Sequence, residues 1–311
     1  MSARTTLPLG IDVGAARTRV ALAERDADET VRLIAVATAA TGTDPEHAIA
    51  NAVAQLATRE RRCVLALGAP ATQLRVVAFP QLSRRERERA ARFEAARTIA
   101  YPVADAAVRL IALDAERCVL AIAPQRAIEQ RIALARAAGL RLVAIDDAAL
   151  ALLRCVPDDT AILDVGSAAS VLVVADDPVP RAHVFPTGGA TFTEAIGRAL
   201  GLDAAAAERR KRTIGLAGAG EFACDGFVAA LTTALSSARA EARTQIRRLA
   251  LCGNGSRLIG LASSLEAVLA MPVESLDLGA AVSTTIPPDV VRAAAPDWAL
   301  AYGLAHWETA A

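Results

Sequence analysis

Aromatic rings are scarce in this chain: Phe, Trp and Tyr together make up 3% of 311 residues. Apolar residues nevertheless reach 54%, so a sizeable core must be built from Ala, Val, Leu and Ile. Excess charge is missing as well. Lysines plus arginines number 34 and aspartates plus glutamates 34, giving a formal net charge of zero. A general nucleic-acid binder needs a basic surplus to displace counterions from phosphate, so that class is disfavoured. Cysteines are few, and Cys63, Cys118, Cys155, Cys224 and Cys252 form no CxxC pair. Their odd number and scattered spacing argue against a disulfide framework or a zinc site, and for buried thiols in a reducing compartment. There is no uninterrupted apolar run of about 18 residues to span a bilayer. The opening MSARTTLPLGIDVG lacks the charged-then-apolar layout of a secretion signal. The cytoplasm is therefore the expected compartment by default, and the length suggests about two domains.

Strand and helix signals alternate along the chain, which favours an α/β architecture. LGIDVGAARTRVAL (9–22) reads as strand, tight turn, strand, with RLIAVAT (32–38) as a third strand. Asp44 and Pro45 form an N-cap and first-turn pair for a helix to about 59. CVLALGAP (63–70) is a buried strand. Ser83 and Glu86 make a capping box that opens SRRERERAARFEAARTIAY, whose charge run fits a solvated helix face or a docking surface for an acidic partner. Two strands, VRLIALD and CVLAIAP, and a helix closed by Gly139 complete a block, about 80–139, with its own strand–helix inventory. LRLVAID and a short helix to Cys155 follow. The opening pattern then recurs in TAILDVGSAASVLVVA: apolar strand, Asp-Val-Gly, small residues, second strand. This echo predicts two lobes of related design, lobe I over 1–157 with the inserted block and lobe II over 158–281. A C-terminal helical segment (282–311) is expected to return to lobe I. Within lobe II, two helices carry GGATFTEAIGRALG and DAAAAERRKRTIG, a long helix covers about 222–244, and LALCGNGSRLIGL (249–261) reads as a strand with a Gly-rich turn opening a helix.

Four pieces can carry chemistry. Gly14 and Gly166, each just after a strand, let backbone N–H groups approach an anion. Asp12 and Asp164, each two residues earlier, would repel phosphate alone but can hold Mg2+ directly or through water. Either hairpin alone is an ordinary β-turn; two of them facing each other would grip a nucleotide's phosphates from both sides. Gly253 and Gly255 offer close backbone approach beside a helix N-terminus. Glu208 and Lys211, three apart on a helix, share one face, as an intrahelical salt bridge also would.

In their order along the chain these pieces resemble the actin/Hsp70/sugar-kinase superfold, and within it the PilM-type type IV pilus assembly proteins, relatives of the cell-division protein FtsA. FEAARTIAYPVAD is similar to that family's helix-plus-Pro segment in its inserted subdomain. CVLAIAPQRAIEQRIALARAAGLRLVAIDD, FPTGGATFTEAIGRALGLDAAAAERRKRTIGL and IRRLALCGNGSRLIGLASSLEAVLAMPVE resemble its later blocks. The resemblance implies an actin-like, two-lobed α/β fold with a nucleotide cleft between lobes. It implies ATP and Mg as ligands: Asp12 and Gly14 at the first phosphate hairpin, Asp164 and Gly166 at the second, with the two aspartates at the metal. Gly188 and Gly189 would line the cleft, Glu208 and Lys211 would approach ribose and adenine, and Gly253 and Gly255 would close over the nucleoside. It further implies a cytoplasmic scaffold held at the inner-membrane face by the N-terminal segment of a PilN-like partner, the inserted block taking part, and it leaves self-association open.

The chain departs from the family where hydroxyls or Lys usually follow the first Gly: Ala15, Ala16, Arg17 and Thr18 stand there. Ser167, Ala168, Ala169 and Ser170 follow the second, and Asn254 replaces a Gly. A lost charge-assisted hydrogen bond costs about 1.5–3 kcal/mol, roughly ten- to hundredfold in affinity. Weakened nucleotide binding is therefore expected, with backbone donors surviving and Arg17 or Arg19 adding contacts. No residue stands out as the activator of a hydrolytic water, so the chain is at most a weak ATPase. One alternative is an adaptor with a degenerate cleft, in the manner of the cytoplasmic part of the type II secretion protein GspL. Another is a small-molecule kinase of the same superfold, whose base would be Asp146 or Asp147; a helix N-cap explains that pair equally well.

Overall fold

A computed structural model describes residues 4–79, 82–176, 178–241, 245–278 and 295–307. The ends of the expected helices at 242–244, 282–294 and 308–311 lie outside the described residues. The chain begins with a two-residue strand β1 (Thr5–Thr6), then β2 (Leu9–Val13), β3 (Arg17–Arg25) and β4 (Val31–Ala40). α1 (Pro45–Ala54) is capped by the Asp44 side chain, which accepts from His47 N–H at 2.9 Å. It stops short of the expected 59, and Ala57 turns into the left-handed region at φ 46°. β5 (Arg62–Leu67), β6 (Gln73–Ala78), α2 (Arg84–Thr98), β7 (Ala106–Ala112), β8 (Arg117–Pro124), α3 (Gln125–Ala137), β9 (Arg141–Asp147) and α4 (Ala148–Leu153) follow. The second half runs β10 (Thr160–Val165), β11 (Ser170–Val174), β12 (Arg181–Phe185), α5 (Gly189–Leu200), α6 (Ala204–Ile214), α7 (Glu221–Glu241), β13 (Arg248–Cys252), α8 (Leu261–Leu269), β14 (Val273–Ser275) and α9 (Ala299–Ala305).

Two sheets share one plan. In the first, β4, β3 and β2 form an antiparallel meander and β5 and β9 extend it in parallel. In the second, β12, β11 and β10 form the meander and β13 and β14 extend it in parallel. Parallel neighbours need crossover connections, and helices supply them. The echo in the sequence is thus an echo of topology: β2–β3 and β10–β11 are equivalent hairpins, each beside a parallel strand.

A third sheet, β6-β8-β7, is wholly antiparallel and carries α2 on one face through Ala91, Ala95, Leu120 and Ile122. It starts at Gln73, ahead of the expected 80, because QLRVVA pairs with β8. It also ends earlier than 139, since α3 packs Leu134 and Ala135 into the first-sheet core instead. The cores are aliphatic, as composition requires. Leu9, Ile11, Val20, Ile49 and Leu65 fill one. In the other, the Phe227 ring meets Phe185 and Phe192 edge-on at 5.7 and 6.0 Å.

A further cluster joins the two halves: Ala21 and Leu33 from the first sheet, Ile162, Val173 and Ala250 from the second, with Ala149, Leu152, Ala299 and Tyr302 between them. α9 reaches this position by backbone contact. A β-carbon on Gly10 would collide with Ala301 O, and one on Gly303 with Ala151 O. Tyr302 OH donates to Val31 O at 3.0 Å, and the Arg154 guanidinium donates to Gly303 O at 3.1 Å. Gly10→Ala is therefore expected to push α9 off β2 and destabilise the chain at the upper end of about 1–3 kcal/mol. Urea unfolding would read this as a lower midpoint at an unchanged slope.

Candidate functional site between the two hairpins

Each hairpin turns in the same way. Gly14 N–H donates to Arg17 O at 3.1 Å, and Gly166 N–H to Ala169 O at 3.0 Å. The strand registers set Asp12 opposite Arg19, and Asp164 opposite Val171 on one side and Cys252 on the other. One hairpin therefore carries its own cation and the other carries an aliphatic residue at the equivalent place. Arg19 is buried and its Nη1 lies 3.2 Å from Asp12 Oδ2.

The hydroxyls that seemed missing after the turns are spent on holding them. Thr18 and Ser170 occupy equivalent positions, both fully buried. Thr18 Oγ1 meets Thr41 Oγ1 at 3.0 Å, and Thr41 Oγ1 donates to Gly14 O at 2.8 Å. Ser170 Oγ donates to Thr187 O at 2.6 Å. Each turn is thereby pinned to the segment that ends its own meander. Ala15 and Ala16 N–H have no hydrogen-bond partner among the described residues, and remain the donors through which an anion could be held.

The Asp12 charge is felt at Asp164 across this space. Burial raises the Asp12 carboxyl, against the nearby Arg19 and Arg131 guanidinium groups. Burial pushes the Asp164 carboxyl up to about 6; the Asp12 and Asp297 charges add to the rise and Arg19 opposes it. Asp297, from the 3-10 turn 295–298 before α9, is paired through Oδ2 with Arg257 at 3.2 Å. Its Oδ1 is buried with no hydrogen-bond partner among the described residues. Three carboxylates thus stand with three arginines, and Asp164 alone has no arginine bonded to it while two neighbouring carboxylates raise it, the local setting that attracts a cation. No three His, Cys, Asp or Glu side chains converge tightly enough to bind a metal alone among the described residues. That donor set suits Mg2+, which takes one or two carboxylates and completes its shell with water and phosphate oxygens.

The glycine pair reaches this space by a different route from the one expected. Gly189 N–H donates to Gly166 O at 2.9 Å and Ala190 N–H to Ser167 O at 2.8 Å. The start of α5 is stapled to the second turn, and a β-carbon on Gly188 would sit 2.7 Å from Ser167 O. Lys211 is likewise engaged: its Nζ donates to Gly189 O and Thr193 Oγ1, both at 2.8 Å, and lies 2.6 Å from Glu208 Oε2. Burial works to raise the Glu208 carboxyl, but bonds from Lys211, Thr193 and Arg212 overcome it and hold it at about 2. Glu208 and Lys211 therefore clamp α6 to α5 here.

Gly253 is extended with φ 75°, and a β-carbon there would collide with Asp164 Oδ1; one on Gly255 would collide with the Val165 side chain. Both glycines let this turn lie directly on β10. The turn opens a short 3-10 segment (254–257), and α8 begins only at Leu261. The expected helix N-terminus at the glycines is thus displaced to Gly260, which caps α8 with φ 92°, and Gly253 N–H donates to Pro296 O at 2.9 Å. Asp147 caps α4 and accepts from Thr72 Oγ1 at 2.5 Å, while Asp146 pairs with Arg154. Neither carboxylate of the kinase alternative is free to act as a base. All five cysteines are free thiols.

Arg131, Asp297, Arg257 and Thr41 were not anticipated as parts of this site. Arg131 lies mid-helix in a charged stretch and Asp297 in a short PDW segment, so no spacing marks either. Asp164 should leave a trace in stability. Because its folded-state value lies above the ordinary 3.8, the folded chain binds the proton more tightly, and stability falls as pH rises from about 4 to about 6. Asp164→Asn is expected to gain on the order of 2 kcal/mol over the parent at pH 8 and almost nothing near pH 4. Urea unfolding at the two pH values checks the sign.

A family profile described as type IV pilus assembly protein PilM matches residues 10–308. Among solved structures, one described as a PilM-PilN type IV pilus biogenesis complex is 27% identical, with a TM-score of 0.81 over 96% of this chain and 97% of the other. The ethanolamine utilization protein EutJ from Carboxydothermus hydrogenoformans is 14% identical, with a TM-score of 0.55 over 97% and 90% of the two chains. A nucleotide-free diol dehydratase-reactivating factor is 12% identical, with a TM-score of 0.56 over 96% and 99%. No curated protein sequence matches. The fold is actin-like.

Proposed function

The chain belongs to the PilM family of type IV pilus assembly proteins, and on that premise we propose that it is an assembly scaffold with two binding functions. Its cleft takes ATP with Mg2+, and its surface takes the cytoplasmic N-terminal segment of a PilN-like inner-membrane protein. The observation that carries the nucleotide reading is the pair of strand-end carboxylates, Asp12 and Asp164, at the equivalent place of two equivalent hairpins, with the Asp12 charge felt at Asp164. Mg2+ would be held by those two residues and would supply the positive charge that lets phosphates enter. Ala15 and Ala16 N–H groups would donate to phosphate oxygens, and Arg19 would add a guanidinium contact. Gly188, Gly189, Gly253 and Gly255 would keep the cleft walls thin, and Glu208 with Lys211 would hold the wall on the nucleoside side. Similarity to the PilM-PilN complex along nearly the whole chain supports the partner reading. Through that partner the chain would work at the cytoplasmic face of the inner membrane.

No residue is assigned to hydrolysis. Ala15, Ala16, Ala168 and Ala169 follow the two turns, and none of them can activate a water. Binding without turnover makes the nucleotide a stabiliser of the closed lobes. A second reading, an adaptor with an empty cleft, is favoured by one observation: Gly189 N–H, Ala190 N–H and Lys211 Nζ already have partners within the chain.

Calorimetric titration separates the two. ATP with Mg2+ is expected to bind with a Kd of about 10–1000 µM, and Asp12→Asn with Asp164→Asn to remove the Mg2+ dependence. No heat and no thermal shift at about 5 mM ATP would leave the adaptor reading standing. A peptide of the partner's N-terminal segment is expected to be captured by the parent and by the Asp12/Asp164 double variant alike. Loss of capture by both would remove the partner reading, whatever the nucleotide result.

A further inference from the structure

α2 carries a surface that the cleft and the fold do not use. Its inner side is set by Ala91 and Ala95, buried against the third sheet. At about 100° per residue the opposite side holds Arg85, Arg89, Arg92, Phe93 and Ala96, all exposed. Phe93 is 67% exposed, an unusual position for a ring in a chain with so few. The acids of this helix are occupied at its flanks. Glu88 pairs with Arg84 and Glu94 with Arg97, each at 3.4 Å. Glu86 turns back to accept from Ser83 N–H at 2.8 Å. Arg87 is spent on Leu82 O and Ala115 O. Arg85, Arg89 and Arg92 form no salt bridge among the described residues; Glu86, on the same face, feels the Arg89 charge while bonded to Ser83, so the outward stripe keeps a net positive charge around one ring, in a chain of zero net charge.

We infer that this face of α2 rests on an anionic bilayer surface. Guanidinium groups engage lipid phosphates bidentately, and a single aromatic side chain enters the headgroup layer. A bilayer fits better than an acidic peptide because the stripe is the convex side of one helix. Peptides are recognised in grooves, pockets or at sheet edges, whereas a flat, yielding surface accepts a convex face. Three arginines offset in part by Glu86, with one ring, make a weak site, suited to orienting a chain that a membrane-anchored partner already holds nearby, as the proposed function has it. The inference is independent of nucleotide binding.

Vesicle flotation of the full chain tests it. With about 30% phosphatidylglycerol in phosphatidylcholine, at least fivefold more protein is expected to float than with phosphatidylcholine alone. Raising salt from about 50 to about 500 mM should abolish the difference. Arg85→Gln, Arg89→Gln and Arg92→Gln combined are expected to reduce flotation to the neutral-lipid level, and Phe93→Ala to lower it several-fold. All four side chains are exposed, so the fold should survive. The control Arg126→Gln, Arg136→Gln and Arg141→Gln, equal in charge and also exposed, should float like the parent. Phe93→Trp should show a blue-shifted emission on anionic vesicles only. Equal flotation on both lipids, or equal loss in the control variant, would overturn the inference. So would an acidic partner peptide that needs the three arginines while vesicles bind none of the chain.

Discussion

Backbone lies on backbone where α9 crosses β2, and the geometry of the cleft depends on that contact. Gly10 and Gly303 leave no side chain between α9 and its neighbours, so the helix settles deeply between the two sheets. Its small residues then fill the cluster shared by β3, β10, β11 and α4. The 3-10 turn leading into α9 lies against the Gly-rich turn after β13, through Gly253 N–H to Pro296 O and Arg257 to Asp297. A single C-terminal segment thus touches both halves and brings Asp297 to the side of Asp164.

The electrostatics of the cleft follow from this closeness. Two carboxylates at the ends of equivalent strands would be unremarkable if each faced water. Here burial raises the proton affinity of both, and the Asp12 and Asp297 charges raise that of Asp164 further. The hairpins are equivalent in backbone but not in charge, since Arg19 stands where the other has Val171. One jaw is self-neutralised and the other is not, so the unmet demand for positive charge is concentrated at Asp164, whose carboxyl sits at about 6. A cation or a proton can meet that demand, and the two compete.

The glycines illustrate how one residue type serves two purposes. The family resemblance sets Gly188 along the cleft and Gly253 over the nucleoside. In the folded chain both are required by contact with the second hairpin, Gly188 with Ser167 O and Gly253 with Asp164 itself. Their presence reports the thinness of the cleft wall. It does not by itself report a ligand. Lys211 is comparable: the Glu-x-x-Lys spacing was readable, but its ammonium group is taken by Gly189 O and Thr193.

The sequence by itself determined the duplicated plan, because apolar alternation, Asp-Val-Gly and small turn residues are local signals that specify a hairpin wherever they occur. It also determined the aliphatic core and the caps at Asp44 and Asp147, each decided within a few residues. Strands β6 and β12 escaped it, since their burial is partial and their pairing is supplied by distant strands. Only the tertiary structure decided that Asp297, Arg131 and Thr41 belong with Asp12 and Asp164. These residues lie far apart in the chain and share no spacing. Their association follows from two sheets closing on one helix, a contact energy summed over the whole core that no local pattern encodes.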